Sequence, residues 1–173
     1  MDNQNIPKIK PLIIISGTPG TGKTTLAKFL QKKLNFQRLD IHKYYPIIST
    51  DYNKNKQCYN IDRQKFLTLV KKTKRQVQQK KGLIIDSHIT HHLPAKEVDL
   101  CIILTCSHLK ILKDRLAKRH YSKQKIQENL EAEIMQICLH EAQDNKHNLL
   151  IFDSTKNKNY NQLLVQIKRR LSP

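Results

Sequence analysis

With 173 residues, the chain has room for one compact domain and not for a second of ordinary size. Its 32 Lys and Arg against 14 Asp and Glu leave a formal charge of +18, more than binding one nucleotide requires; either a polyanion such as RNA is a partner, or the lysines are solvated surface in a chain also rich in Asn and Gln. No apolar stretch approaches the roughly 18 residues of a membrane-spanning helix; Met1 to Lys10 is polar, and Cys58, Cys101, Cys106 and Cys138 lack C-x-x-C spacing and read as reduced thiols, so a cytoplasmic protein is expected.

The first predicted element is a strand, Leu12-Ile13-Ile14-Ile15, which feeds directly into Gly17-Thr18-Pro19-Gly20-Thr21-Gly22-Lys23-Thr24 and then Thr25. This octapeptide fits G-x-x-x-x-G-K-[ST], a loop that wraps polyphosphate because its successive backbone N–H groups converge on the anion and the following helix adds a positive N-terminal dipole. Lys23 is expected to bridge the β- and γ-phosphates and the Thr24 hydroxyl to hold Mg²⁺. An amphipathic helix follows, with Leu26, Ala27, Phe29, Leu30 and Leu34 on its apolar side.

Four further runs read as strands: Phe36 to Ile41, Gly82 to Asp86, Asp99 to Thr105 and Leu149 to Asp153. Helical patterns between them predict an α/β fold with a doubly wound, five-stranded parallel sheet, in which the strands ending at Gly17 and Asp86 lie side by side and form one crevice. The segment from His42 to Asp62, with Pro46 and an Asn/Lys cluster, is expected to cover substrate instead of joining the core.

At the end of the third strand, Asp86 is placed to hold Mg²⁺ directly or through water, or else simply to cap the turn. His88 suits either the orientation of water or a phosphate oxygen, or a structural role. His91 and His92 extend the pattern to D-x-H-x-x-H-H, which invites zinc; that reading is set aside because no Cys or second carboxylate lies nearby in sequence at ligand spacing. Arg115 and Arg119, four residues apart on an expected helix, share a face and reach developing phosphoryl charge, unless they are ordinary surface charge. One helix is predicted from about Ser122, its N-cap, to Asp144, with Ile126, Leu130, Ile134, Ile137 and Cys138 on one face. A last amphipathic helix, Gln162 to Leu171, carries Lys168, Arg169 and Arg170 at the end where cations suit the dipole.

Together these residues resemble the adenylate kinase isoenzyme 6-like family, small archaeal and nuclear P-loop proteins that combine kinase or ATPase activity with maturation of the small ribosomal subunit. The likeness rests on Asp86-Ser87-His88 with Pro94, and on Arg115, Leu116, Arg119, Tyr121, Lys125, Asn129, Glu133, Glu141 and Ala142, with a weaker match at Cys58 and Asp62. It implies an ATP site of Gly20, Gly22, Lys23, Thr24 and Thr25 closed by Arg119, a monophosphate-binding segment at about 40–63, a lid at about 118–128, and adenine near Asp153 to Lys156. It further implies association with the ribosomal protein uS11 and pre-ribosomal RNA, and a nuclear location in a eukaryote. Two positions depart from the family. His120 stands where relatives carry Gly, which predicts an altered lid hinge, and Lys43 offers the monophosphate segment no bidentate clamp where relatives can place Arg.

The sequence thus supports an Mg²⁺-dependent transfer of phosphoryl from ATP to AMP or another monophosphate, with ATP hydrolysis beside it. Two alternatives stay open: an ATPase gated by a partner, and a basic RNA-binding assembly factor that uses nucleotide as a switch.

Overall fold

The five apolar runs form a single parallel sheet. The computed structural model describes residues 10–53, 58–77, 79–156 and 159–172. In chain order the strands are β1 (Leu12–Ser16), β2 (Gln37–Leu39), β3 (Ser49–Asn53), β4 (Cys58–Ile61), β5 (Leu83–Asp86), β6 (Leu100–Thr105) and β7 (Leu149–Asp153). The main sheet has the order β2-β5-β1-β6-β7, while β3 and β4 pair antiparallel in a separate two-stranded sheet. As expected, β1 lies beside β5, with Ile15 opposite Asp86. The expected strand over 36–41 is shorter, because Ile41 begins a 3₁₀ turn that runs to Tyr44.

Among the described residues seven α-helices accompany the strands: α1 (Lys23–Leu34), α2 (Tyr45–Ile48), α3 (Arg63–Gln76), α4 (Leu109–Ala117), α5 (Lys123–Ile134), α6 (Ile137–Asp144) and α7 (Tyr160–Leu171). Successive strand residues point to opposite faces, so both sides of the sheet need cover. Ile13 and Ile15 of β1 pack with Leu26 and Leu30 of α1 and Leu163 and Ile167 of α7. Leu12 and Ile14 face the other way, toward Phe66 and Val70 of α3 and Leu139 and Ala142 of α6. A smaller cluster of Cys106, Leu112 and Leu116, with Tyr121, Ile126 and Leu130 against it, fixes α4 to α5.

The segment from His42 to Asp62 is more ordered, and more deeply anchored, than its composition predicts. Ile41 and Ile48 are buried, and Asp62 caps α3 by accepting hydrogen bonds from the backbone N–H groups of Gln64 and Lys65. Residues 54–57 of this segment lie outside the described set. Cys101 and Cys106 are buried free thiols, as their apolar surroundings predicted.

The single helix expected over 122–144 is instead two. Ser122 does cap α5, its side chain accepting from Lys125 N–H, but the helix ends at Ile134 and Gln136 takes a left-handed φ of 50° before α6 starts. The break lets α5 serve the cleft while α6 turns onto the sheet. Ile134 and Ile137, placed on an apolar face by periodicity, are largely exposed there. Apolar spacing runs on through the break, so nothing in the pattern marks it. No described helix is long and apolar enough to cross a membrane.

Candidate functional site

The loop between β1 and α1 is positioned by backbone geometry that side chains would spoil. Gly17 has a φ of +137° and Gly20 one of +91°; a Cβ on Gly17 would meet the Leu104 carbonyl oxygen at 2.2 Å, and one on Gly20 would meet Leu112 at 2.8 Å. The loop therefore sits directly on β6 and α4. Arg115 tightens this seat, its guanidinium donating to the Gly20 carbonyl at 3.1 Å.

Lys23, the first residue of α1, donates to the carbonyls of Gly17 at 2.6 Å and Thr18 at 2.9 Å. Desolvation by the loop and cleft walls lowers its pKa to about 8, with the Arg119 charge adding to the shift and the charges of Asp86 and Glu133 opposing it. A polyphosphate in the loop would raise the pKa again, since an adjacent anion favours the charged form. Thr24 donates its hydroxyl to Asp86 at 2.7 Å, and Thr25 lines the same cleft.

Asp86 is 1% exposed at the end of β5 and is paired with Arg38, whose Nε donates to it at 2.6 Å. Arg38 comes from β2, the strand next to β5. The sequence reading passed over this residue. Its signal was a charged side chain inside a short strand between Phe36 and Leu39, a position that calls for a buried partner. Lys43, by contrast, is exposed and does not line the cleft.

The cleft has a volume of about 680 Å³, within the usual range for a small-molecule site. The phosphate loop lines it together with His42, Tyr45 and Tyr59 from the inserted segment, His88, and Arg119, Tyr121, Lys125 and Asn129 from the region of α4 and α5. Cys58, His88, Arg119, Tyr121, Lys125, Asn129 and Glu141, all of which carry the family resemblance, thus surround one cavity. Solvent reaches the His88 ring, yet crowding by the cleft walls, reinforced by the Lys23 charge, pushes its pKa well below the usual value and keeps it neutral near pH 7.

Arg115 and Arg119 do not share a helix. α4 ends at Ala117, so Arg115 lies behind the loop while Arg119, in the following turn, faces the cleft. Next to it, His120 has a φ of +58°. The left-handed conformation that a Gly would supply is therefore kept, and its cost is carried by a side chain that tolerates it better than most.

Glu133 is buried and accepts the Cys106 N–H at 2.6 Å, tying the end of α5 to the end of β6. Burial pushes its pKa up, against the lowering by hydrogen bonds from Thr18 and Cys106. Asp153 caps a turn by accepting from the backbone and hydroxyl of Thr155. Partial burial raises its pKa, but these bonds and those from Ser107 and Lys156 outweigh it and hold the carboxyl below the ordinary range. No residue from 153–156 lines the cleft.

The ground for setting zinc aside does not survive folding. Glu141 of α6, remote in sequence, lies 2.6 Å from His91.

A family model described as an AAA domain matches residues 13–136. A protein of Dictyostelium discoideum described as an adenylate kinase isoenzyme 6 homolog is 37% identical over 142 residues, covering 81% of this chain and 78% of its own length. A Schizosaccharomyces pombe protein of the same description is 38% identical over 141 residues, 78% of this chain and 75% of its own. Among solved structures, deoxyadenosine kinase from M. mycoides with bound dATP matches with a TM-score of 0.55 over 91% of this chain and 99% of that one, at 18% identity, a likeness of fold alone. The sheet order, the loop and these matches make the architecture an α/β P-loop NTPase fold.

Proposed function

The chain belongs to the adenylate kinase isoenzyme 6-like family, and from that premise we propose that it is a single-domain kinase that moves the γ-phosphoryl group of ATP to a nucleoside monophosphate, AMP foremost, and hydrolyses ATP as a companion activity. The observation that carries this reading is that the phosphate loop, Arg119 and the aromatic side of the inserted segment line one continuous cleft. A donor and an acceptor have room to meet there.

Gly20, Gly22, Lys23, Thr24 and Thr25 would bind the ATP phosphates. Arg119 would neutralise charge that spreads over the moving phosphoryl group, and Arg115 would act one layer back by holding the loop carbonyl of Gly20. Thr24 and Asp86, two oxygen donors 2.7 Å apart, suit a hard cation; they would hold Mg²⁺, Asp86 directly or through water. The ion when bound supplies charge neutralisation across the β- and γ-phosphates. Tyr45 and Tyr59, in edge-to-face contact with each other and lining the cleft, would offer an aromatic surface to the acceptor base. Residues 40–63 would form the monophosphate side and 118–128 the lid. Neutral His88 is suited to orient a water, so His88→Ala should harm hydrolysis more than transfer; equal losses would remove that role.

The +18 charge favours a second reading. In it, nucleotide turnover serves assembly of the small ribosomal subunit through pre-ribosomal RNA and the ribosomal protein uS11, in the cytoplasm or, in a eukaryote, the nucleus. RNA affinity would then fall steeply with salt, as counterion release requires.

The deciding experiment is ATP turnover with AMP, CMP, UMP, GMP or no acceptor, scored for both ADP and free phosphate. The kinase reading expects AMP to raise ADP without raising free phosphate. Phosphate release that ignores every monophosphate and responds to RNA would replace it with the gated ATPase.

A further inference from the structure

His91, His92 and Glu141 stand apart from the loop chemistry, although they line the same cleft. We infer that His91, His92 and Glu141 form a binding site for a divalent transition-metal ion of zinc type, separate from the Thr24 and Asp86 pair. The candidate ligand atoms, one from each residue, lie within 4.8 Å of one another. Zinc–ligand bonds of about 2.0–2.2 Å set tetrahedral ligand atoms roughly 3.4 Å apart, so the wider separations must close and the His91–Glu141 pair, now 2.6 Å apart, must open. His92 and Glu141 are only half-buried, so modest rotations of these two side chains supply the adjustment.

The third ligand is already fixed. His91 is 1% exposed, and its Nδ1 lies 2.6 Å from the Ser16 hydroxyl, which leaves Nε2 to point outward at Glu141. Metal-bound imidazoles characteristically have their other nitrogen engaged in this way, which sets the tautomer and orientation. The backbone beneath is braced as well: the His91 carbonyl accepts from Asn145 Nδ2 at 3.0 Å and from His147 Nε2 at 2.9 Å. The neighbouring His92 ring lies 4.2 Å away between centroids, tilted by 54°. Burial, with mutual repulsion, lowers the pKa of His91 to about 4 and burial lowers that of His92, so both rings are neutral near pH 7. In the metal-free site the His91 Nε2–H donates to the Glu141 carboxylate and Nδ1 accepts from the Ser16 hydroxyl; metal binding at Nε2 uses the other tautomer, with the proton on Nδ1 and donated to Ser16.

Two imidazoles and one carboxylate select a borderline ion such as Zn²⁺ or Co²⁺ over Mg²⁺. The remaining coordination position faces the cleft, open to water. The site is therefore of the open kind, not a closed structural one.

The test uses the full chain, dialysed free of metal and nucleotide, titrated with Zn²⁺ by calorimetry and with Co²⁺ by visible absorption. One equivalent should bind with a Kd of micromolar order, Co²⁺ should develop d–d bands, and millimolar Mg²⁺ should not displace either ion. His92→Ala and Glu141→Gln should each weaken binding by about 10–100-fold or more, with circular dichroism confirming that each variant is folded. Asp86→Asn should leave the Zn²⁺ affinity intact. Absence of saturable binding below 100 µM on the order of these probes, displacement by Mg²⁺, or equal affinity in the His92 and Glu141 variants would overturn the assignment.

Discussion

Gly17 to Thr25 is held from behind by buried groups, with Leu104 under Gly17, Leu112 under Gly20 and Arg115 on the Gly20 carbonyl. The other side of the cleft is anchored below by buried Ile48 and by the hydrogen bond between Tyr45 and Ser87, but its rim is rings touching rings: His42 on Tyr45, Tyr45 on Tyr59 and Tyr59 on Tyr52, the last two substantially exposed. The first region is preorganised and tolerates almost no added atom. The second joins a buried anchor to an exposed aromatic rim, and the rim is the part with the light packing expected of an adjustable surface. A rigid donor grip opposed to an adjustable acceptor side suits transfer between two nucleotides, because the reacting phosphates need fixed geometry and the acceptor must enter and leave.

The contrast breaks most visibly at Lys23. Lys23→Ala should reduce ATP turnover by about 10³-fold or more, measured by coupled ADP production, while leaving the melting temperature nearly unchanged. Near-normal turnover would end the loop-based mechanism. Arg38→Leu tests the support behind the grip: it strands the buried Asp86 carboxylate and should cost about 3 kcal/mol of stability in urea unfolding without nucleotide. Added Mg²⁺ and ATP should recover part of that loss, since Asp86 would regain a cationic partner.

The two arginines should separate in steady-state kinetics. Arg119→Ala should lower kcat by about 10²-fold with little change in the KM for ATP, whereas Arg115→Ala should act chiefly by raising that KM. Reversed or identical effects would contradict their placement on different sides of the loop. Lys23 also makes donor binding depend on pH. Its pKa of about 8 in the free protein means that below pH 8 the ammonium is charged before and after ATP binds. Above pH 8 the free protein has lost that proton and binding must take one up. Affinity should therefore weaken as pH rises through 8, by up to about tenfold per unit, and calorimetry in buffers of different ionisation enthalpy should register the uptake.

The smallest effect lies in the turn after α4. His120→Gly, at a φ of +58°, should raise stability by about 0.5–1 kcal/mol, the relief of left-handed strain less the entropy that Gly adds to the unfolded chain. A destabilised variant would mean that the His120 side chain contributes more than its backbone costs.

The legible parts of this protein were local ones. β1, the loop and α1 follow from a β-branched run, three glycines at set offsets and an apolar helical stripe, and each of these signals lies within a few residues of what it specifies. The adjacency of β1 and β5 was legible too, because parallel strands joined by helices admit few arrangements. The break at Gln136 was not, since a left-handed residue in place of Gly leaves no mark on apolar periodicity. Nor was the end of α4 at Ala117, which moved Arg115 and Arg119 to different sides of the loop.

By itself, then, the sequence determined the class of fold, the phosphate grip and the residues available to work around it. The tertiary structure alone decided the pairings between distant polar groups, Arg38 with Asp86 and His91 with Glu141, 48 and 50 residues apart. The physical reason is range: hydrogen-bonded turns and helical stripes are set by neighbours along the chain, whereas a buried charge finds its partner only once the sheet has brought separate strands and helices to the same edge.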